Sequence, residues 1–213
     1  MACGTHLTDG GGFCCATCLS TVRPVVRGDE QYREASTKIA AGGLVTDLTV
    51  GWYFEKEGVL QTLIHGLKYR GMRGIGDALG RELGKLLLAC APGGCDALLP
   101  VPLHPSKFRE RGYNQCDAIA RGAALITGLP VDDGILRRVR WTESQTTLGV
   151  EERRENVRGA FIVHPGRRKD VCGRRFMLVD DILTTGATLG SCAETLHGAG
   201  AAGISCCALA LPL

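Results

Sequence analysis

Long apolar runs are missing from this sequence: no stretch approaches the roughly 20 residues that a membrane span needs. A large charge excess is missing too. Lys and Arg total 25 against 22 Asp and Glu, a formal net charge of +3, which leaves room for local basic patches but does not by itself demand nucleic acid. The opening MACGTHLTDGGG has neither the basic nor the apolar region of a secretory signal, so the chain is expected in the cytoplasm. Aromatic residues are scarce, at 5%, and no internal repeat is evident. What is present is 213 residues, 45% hydrophobic and 22% charged. That composition excludes a disordered tail, a collagenous repeat and a coiled coil. The length suits one medium domain with a small appendage.

Eleven cysteines, an odd number in a chain longer than a disulfide scaffold, are expected to be metal ligands, catalytic thiols or small core residues. Cys192, Cys206 and Cys207 lie in apolar patterns and read as buried, inert thiols. Cys3, Cys14, Cys15 and Cys18 crowd a Gly-rich N-terminus that lacks aliphatic periodicity, as in a knuckle held by metal. In Cys15-Ala16-Thr17-Cys18, two residues between thiolates let both face one tetrahedral ion. A redox role for this CxxC is the alternative, although no thioredoxin-like strand precedes it.

The chain divides into a cysteine-rich module (1–24), a helical or linker segment (25–95) and a main domain (96–213). Residues 25–51 have a mixed pattern that permits no assignment. Val59, Leu60, Leu63, Ile64 and Leu67 then mark one face of a helix, and Ile75, Leu79, Leu83, Leu86 and Leu87 a second. A short strand from Ala97 to Val101 enters Pro102-Leu103-His104-Pro105, where two prolines argue against helix and leave Lys107, Arg109 and Arg111 on a cationic loop. A helix is expected over about 114–126. The runs 135–139 and 160–163 read as a projecting, flexible hairpin around a long polar insertion. Phe176–Val179 reads as a strand buried on both faces, followed by a helix through Leu196 and a last strand over 204–211. This alternation predicts an α/β fold with a mostly parallel sheet flanked by helices.

The chemistry concentrates between Phe176 and Thr188. A buried strand ends in Asp180-Asp181, and Thr184-Thr185-Gly186-Ala187-Thr188 leads into a helix. Ligands of parallel sheets bind at the carboxyl ends of strands, where this turn must lie. Backbone N–H groups of Thr185, Gly186 and Ala187, with the hydroxyls of Thr184, Thr185 and Thr188, form a phosphate cradle. Two carboxylates facing a phosphate would be repelled, but they suit sugar hydroxyls a few ångströms away. The combined preference is for a phosphorylated ribose.

This segment resembles the signature of type I phosphoribosyltransferases, which bind 5-phosphoribosyl 1-pyrophosphate (PRPP). The resemblance implies that Asp180 and Asp181 hold the ribose hydroxyls, that Thr184 to Thr188 wrap the 5-phosphate, and that Mg2+ accompanies the pyrophosphate, bound largely through substrate oxygens and water. Further stretches resemble the ComF (competence protein F) branch: Leu63 to Gly71, Leu99 to Pro105 with Arg109 to Gln115, and Gln145 to Phe161. Together they imply a type I phosphoribosyltransferase fold from about residue 52 to the C-terminus. By charge and bidentate geometry, Lys107, Arg109 and Arg111 suit the departing pyrophosphate. His104 could touch pyrophosphate or merely cap its turn. Arg153, Arg154 and Arg158 would sit on a hood formed by the 140–159 insertion.

ComF-like proteins commonly begin with a four-cysteine zinc module. That implies Zn2+ on Cys3, Cys15 and Cys18, with the partner of Cys3 ahead of Met1, or with His6 or Cys14 completing the site; no metal binding at all is the third possibility. The expected activity is transfer of phosphoribose from Mg-PRPP to an unidentified nitrogen acceptor. The alternative is a non-catalytic competence accessory in DNA uptake, binding single-stranded DNA and a helicase partner. The basic groups at 137–140 and 167–169 favour that reading, and the scarcity of Trp gives no evident aromatic platform for it.

Overall fold

The run Phe176–Val179 has no polar face to offer water, so it must be covered on both sides. In the computed structural model, which describes residues 16–90, 94–141 and 157–213, it lies within β5 (Arg175–Ile182). Phe176 and Leu178 enter one apolar cluster, Met177 and Val179 another on the opposite face. The sheet order is β1-β6-β5-β2, all parallel, with β1 Val45–Phe54, β2 Ala97–Pro100 and β6 Gly203–Pro212. Helices α2 (Glu30–Ala40) and α7 (Ala187–His197) cover one face; α3 (Val59–Tyr69), α4 (Arg73–Cys90) and α6 (Gln115–Thr127) cover the other. The expected parallel sheet flanked by helices is present. No described helix is long and apolar enough to cross a membrane.

Residues 25–51 hold two elements that sequence periodicity missed, α2 and most of β1. Asp47 and Gly51 interrupt the apolar pattern of β1, yet Val50 and Tyr53 enter one face of the core and Trp52 the other. The main sheet therefore draws strands from both sides of residue 95.

The expected loop at 105–111 is corrected to a helix, α5 (Pro105–Arg111). Pro105 occupies its first turn, where a missing N–H costs no hydrogen bond and the fixed φ suits helix entry. His104 caps it, Nδ1 accepting the Ser106 N–H at 3.3 Å. Of the two roles left open for His104, capping is the one observed.

Strands β3 (Leu136–Arg138) and β4 (Phe161–Val163) pair antiparallel, as the hairpin reading expects. Below them Val139 N–H donates to the Ala160 carbonyl at 2.8 Å, and the Arg140 guanidinium to the Arg158 carbonyl at 2.6 Å. Both stems of the polar insertion are thus tied together. Its tip, with Arg153 and Arg154, lies outside the described residues.

Helices α4 and α6 cross with their backbones touching. A methyl group added at Gly80 would sit 2.2 Å from the Ile119 carbonyl oxygen, and one at Gly122 would sit 2.2 Å from that of Asp77.

Candidate functional site

Strand β5 leads into α7 on one face of the sheet, while β2 leads through α5 into α6 on the other. Where neighbouring strands send their chains to opposite faces, a crevice opens at their carboxyl ends. Asp180 and Asp181 end β5 at this crevice.

The two carboxylates have different surroundings. Asp180 Oδ1 accepts the Asp181 N–H at 2.9 Å and the Cys116 thiol at 3.4 Å. Asp181 Oδ1 accepts the Ile182 N–H at 2.8 Å, and its Oδ2 lies 2.6 Å from Lys68 Nζ. That approach is not aligned as a hydrogen bond and acts as an ion pair. Lys68 arrives from the last turn of α3. Burial, then the charge of Asp181, push the Asp180 carboxyl up to about 7, against the pull of the Asp181 N–H, Lys68 and the Cys116 thiol. Burial also pushes the Cys116 thiol well up, so it stays protonated and donates. For Lys68, burial acts downward but is outweighed by Asp181 and then Asp180, so it remains an ammonium.

A raised carboxyl pKa has a stability consequence. Between its ordinary value of 3.8 and about 7, folded Asp180 binds a proton that the unfolded chain does not. Stability should therefore fall as pH rises through this window and level off above it. Asn at 180 can still accept both hydrogen bonds without carrying charge. Asp180→Asn should flatten the pH dependence and raise stability by roughly 1–3 kcal/mol near pH 8, allowing for the ~1.4 kcal/mol of each pKa unit and partial relaxation. Urea unfolding from pH 5 to 8.5 measures it; a variant less stable than wild type at pH 8 would contradict the assignment.

Beyond the acids, Gly186 stands at φ 76° as the N-cap of α7 and has no side chain of its own to cap it. Only glycine fits here: φ is left-handed, and a Cβ would meet Ile39 Cγ1 at 2.9 Å. Thr185 Oγ1 accepts the Ala187 N–H at 3.4 Å, and Thr184 is exposed. A 510 Å³ cavity runs along this loop, bordered by Thr185, Gly186 and Ala187 with Lys38, Arg158 and Glu194. The loop keeps the open helix N-terminus and hydroxyls that anion binding needs.

Arg111 donates to Gln115 Oε1 and stands 5.7 Å from the centre of the Tyr69 ring. With Lys68, Tyr69, Gly71, Lys107 and Glu110 it lines a cavity of 120 Å³. Arg109 is exposed on α5 and lies outside that lining. Lys68 is the hinge between the two regions, since it touches Asp181 and borders the cationic cavity. The sequence pattern singled out neither Lys68 nor Cys116 as a site residue. Lys68 did lie in a quoted stretch, but nothing local shows that a helix end at 68 meets a strand end at 181.

Donor atoms of Cys116, Asp180 and Asp181 lie within 4.8 Å of one another. A protonated, soft thiol does not suit Mg2+, which takes oxygen ligands and keeps its waters. These residues fit a Mg2+ carried by substrate oxygens rather than one held in a protein cage. Of the expected zinc ligands, Cys18 lies in α1 (Ala16–Ser20) and is buried. Cys3 and Cys15, like His6 and Cys14, lie outside the described residues.

No family model matches the chain. It is 34% identical over 105 residues to competence protein F of Haemophilus influenzae, covering 49% of this chain and 45% of that protein. It is 33% identical over 147 residues to the DNA utilization protein YhgH of Salmonella typhi, covering 67% of this chain and 63% of the relative. Against the YhgH protein of Escherichia coli K12 it is 32% identical over 149 residues, 68% of this chain and 64% of that one. The chain thus spans between about half and two thirds of these relatives' lengths. Among solved structures, glutamine PRPP amidotransferase from B. subtilis covers 73% of this chain, and 33% of its own, at 21% identity and a TM-score of 0.45. That likeness is too slight to rest the fold on, which stands instead on strand order and register. On the sequence matches, the chain is a homologue of competence protein F and of the YhgH DNA utilization proteins over the part of them that it spans.

Proposed function

We propose that this chain binds Mg-PRPP at the carboxyl end of β5 and transfers its phosphoribosyl group to a nitrogen acceptor. The carrying observation is an acid pair at a topological switch point, joined by a short threonine loop to a helix N-terminus whose N-cap is glycine. Asp180 and Asp181 accept the ribose hydroxyls. N–H groups of Thr185, Gly186 and Ala187, with the hydroxyls of Thr184, Thr185 and Thr188, take the 5-phosphate. Arg111 and Lys107 face the pyrophosphate, with Arg109 at the outer rim. Mg2+ supplies charge neutralisation on the pyrophosphate oxygens. The acceptor nitrogen bonds to C1 as the C1–oxygen bond breaks, pyrophosphate leaves with the electron pair, and the nitrogen sheds its proton. Cationic stabilisation of the departing charge is the main catalytic effect. Titration calorimetry with Mg-PRPP tests the binding, and pyrophosphate release across a panel of nitrogen bases tests the transfer. No heat at millimolar PRPP would sink the reading. Zinc on Cys3, Cys15 and Cys18 and a cytoplasmic location belong to the same proposal.

A second reading, binding of single-stranded DNA beside a helicase partner, gains support from surface aromatics that composition alone did not reveal. Tyr69, Phe108 and Trp141 are exposed. Lys107 Nζ lies 5.6 Å from the Trp141 ring centre, and His104 packs edge-on against the same ring. Stacked bases contribute roughly 1–3 kcal/mol each. Trp141→Ala should therefore weaken oligo-dT binding about tenfold, with an affinity that falls as salt rises. Affinity indifferent to salt would exclude this reading.

A further inference from the structure

We propose that Lys68 is an exchangeable counter-ion that makes the site selective for a ribose bearing pyrophosphate over the same ribose without it. This inference rests on the phosphoribose reading of the β5 site. Both oxygens of Asp181 are engaged here, Oδ1 by the Ile182 N–H and Oδ2 by Lys68 Nζ at 2.6 Å. A ribose hydroxyl seeking Asp181 must therefore share or displace the ammonium. The side chains of Lys68 and Asp181 are only 20% and 7% exposed, so water does little to weaken this competition. Lys68 also borders the 120 Å³ cavity that holds Lys107 and Arg111. Its position on that shared wall gives the ammonium a second place to go, provided an anion fills the cavity.

The two ligands then differ in a definite way. Mg-PRPP brings phosphate oxygens that accept the ammonium as its ribose takes Asp181, so a charge-assisted contact is exchanged rather than lost. Ribose 5-phosphate brings no such oxygens at C1, and its hydroxyls must compete with an ion pair. Lys107 is already paired with Glu110 at 2.8 Å and Arg111 with Gln115, which leaves Lys68 as the cation whose partner the sugar itself displaces. Lys68 is thus a positioning and specificity residue; it acts on the sugar through Asp181.

The test is calorimetry with Mg-PRPP and, separately, ribose 5-phosphate on wild type, Lys68→Met and Lys68→Arg. Lys68→Met should weaken PRPP roughly ten- to hundredfold, the range for one charge-assisted contact. It should leave ribose 5-phosphate binding equal or tighter, so that the preference collapses. Lys68→Arg should restore most of it. If Lys68→Met does not fold because Asp181 is left unpaired, the same ratio is read from Lys68→Met/Asp181→Asn against Asp181→Asn alone. An equal loss for both ligands would make Lys68 a structural counter-ion only and overturn the proposal, as would no change for either. If wild type binds neither ligand, the phosphoribose reading itself fails and takes this inference with it.

Discussion

Replacing Asp180 and Asp181 together by Asn should weaken Mg-PRPP binding at least about a hundredfold near pH 8, because two charge-assisted hydrogen bonds contribute roughly 1.5–3 kcal/mol each. The pH matters. Asp180 is pushed up to about 7 by its burial and by Asp181, so its carboxylate carries full charge only above that value. For wild type, affinity should climb between pH 6 and 8 and then level, whereas the double variant should show no such rise. A urea midpoint for the double variant itself guards the interpretation, because Asp181→Asn removes the charged partner of Lys68. Lost binding in a protein at least as stable as wild type cannot be blamed on unfolding. Wild-type affinity in the double variant would show that the acids do not hold the ribose. The DNA reading, with its exposed Trp141 and Tyr69, would then lead.

The largest effect on stability is expected at the crossing of α4 and α6. Gly122→Ala should cost roughly 2–4 kcal/mol, although alanine favours helix over glycine by about 1 kcal/mol. The new methyl group would lie 2.2 Å from Asp77 O, 2.9 Å from its carbonyl carbon and 3.0 Å from its Cα. All three are backbone atoms, so no rotamer change relieves the contact. The helices must separate instead, which loosens Leu79, Leu83, Ile119 and Ala123 in the same cluster. Because α6 also carries Cys116 to Asp180, a change far from any ligand should reach the site as well. Gly190→Ala in α7 is the control. Its methyl group would meet nothing within 4 Å, and it should gain up to about 1 kcal/mol. Urea midpoints for the two variants should therefore move in opposite directions.

Strand β5 was legible because four apolar residues, two acids, two further apolar residues and a Thr-Thr-Gly turn follow one another. The helices at 59–69 and 73–90 were legible from their 3.6-residue period. Strand β1 was not, since Asp47 and Gly51 break its pattern and its burial comes from β6, distant in sequence. The α5 reading failed on positional meaning: proline is excluded from a helix interior but welcome in its first turn. Within the site, the acids and the threonine loop were visible because they are contiguous. The Lys68–Asp181 pair and the Cys116–Asp180 hydrogen bond were hidden because each joins residues that only the folded sheet brings together. Surface aromatics escaped for a related reason, as a low overall count says nothing about which rings remain outside the core.

The clasp at the base of the polar insertion has an evolutionary consequence. Arg140 bound to the Arg158 carbonyl, with Val139 bound to Ala160, fixes where the intervening chain departs and returns. Once two stems are pinned, the entropy of closing the loop between them grows only logarithmically with its length, about 0.6 kcal/mol for each doubling. Segments of quite different length can therefore be grafted between residues 141 and 157 without disturbing the acid pair or the sheet. Insertion and deletion at this point is a cheap route to variation that leaves the sheet and the acid pair as they are.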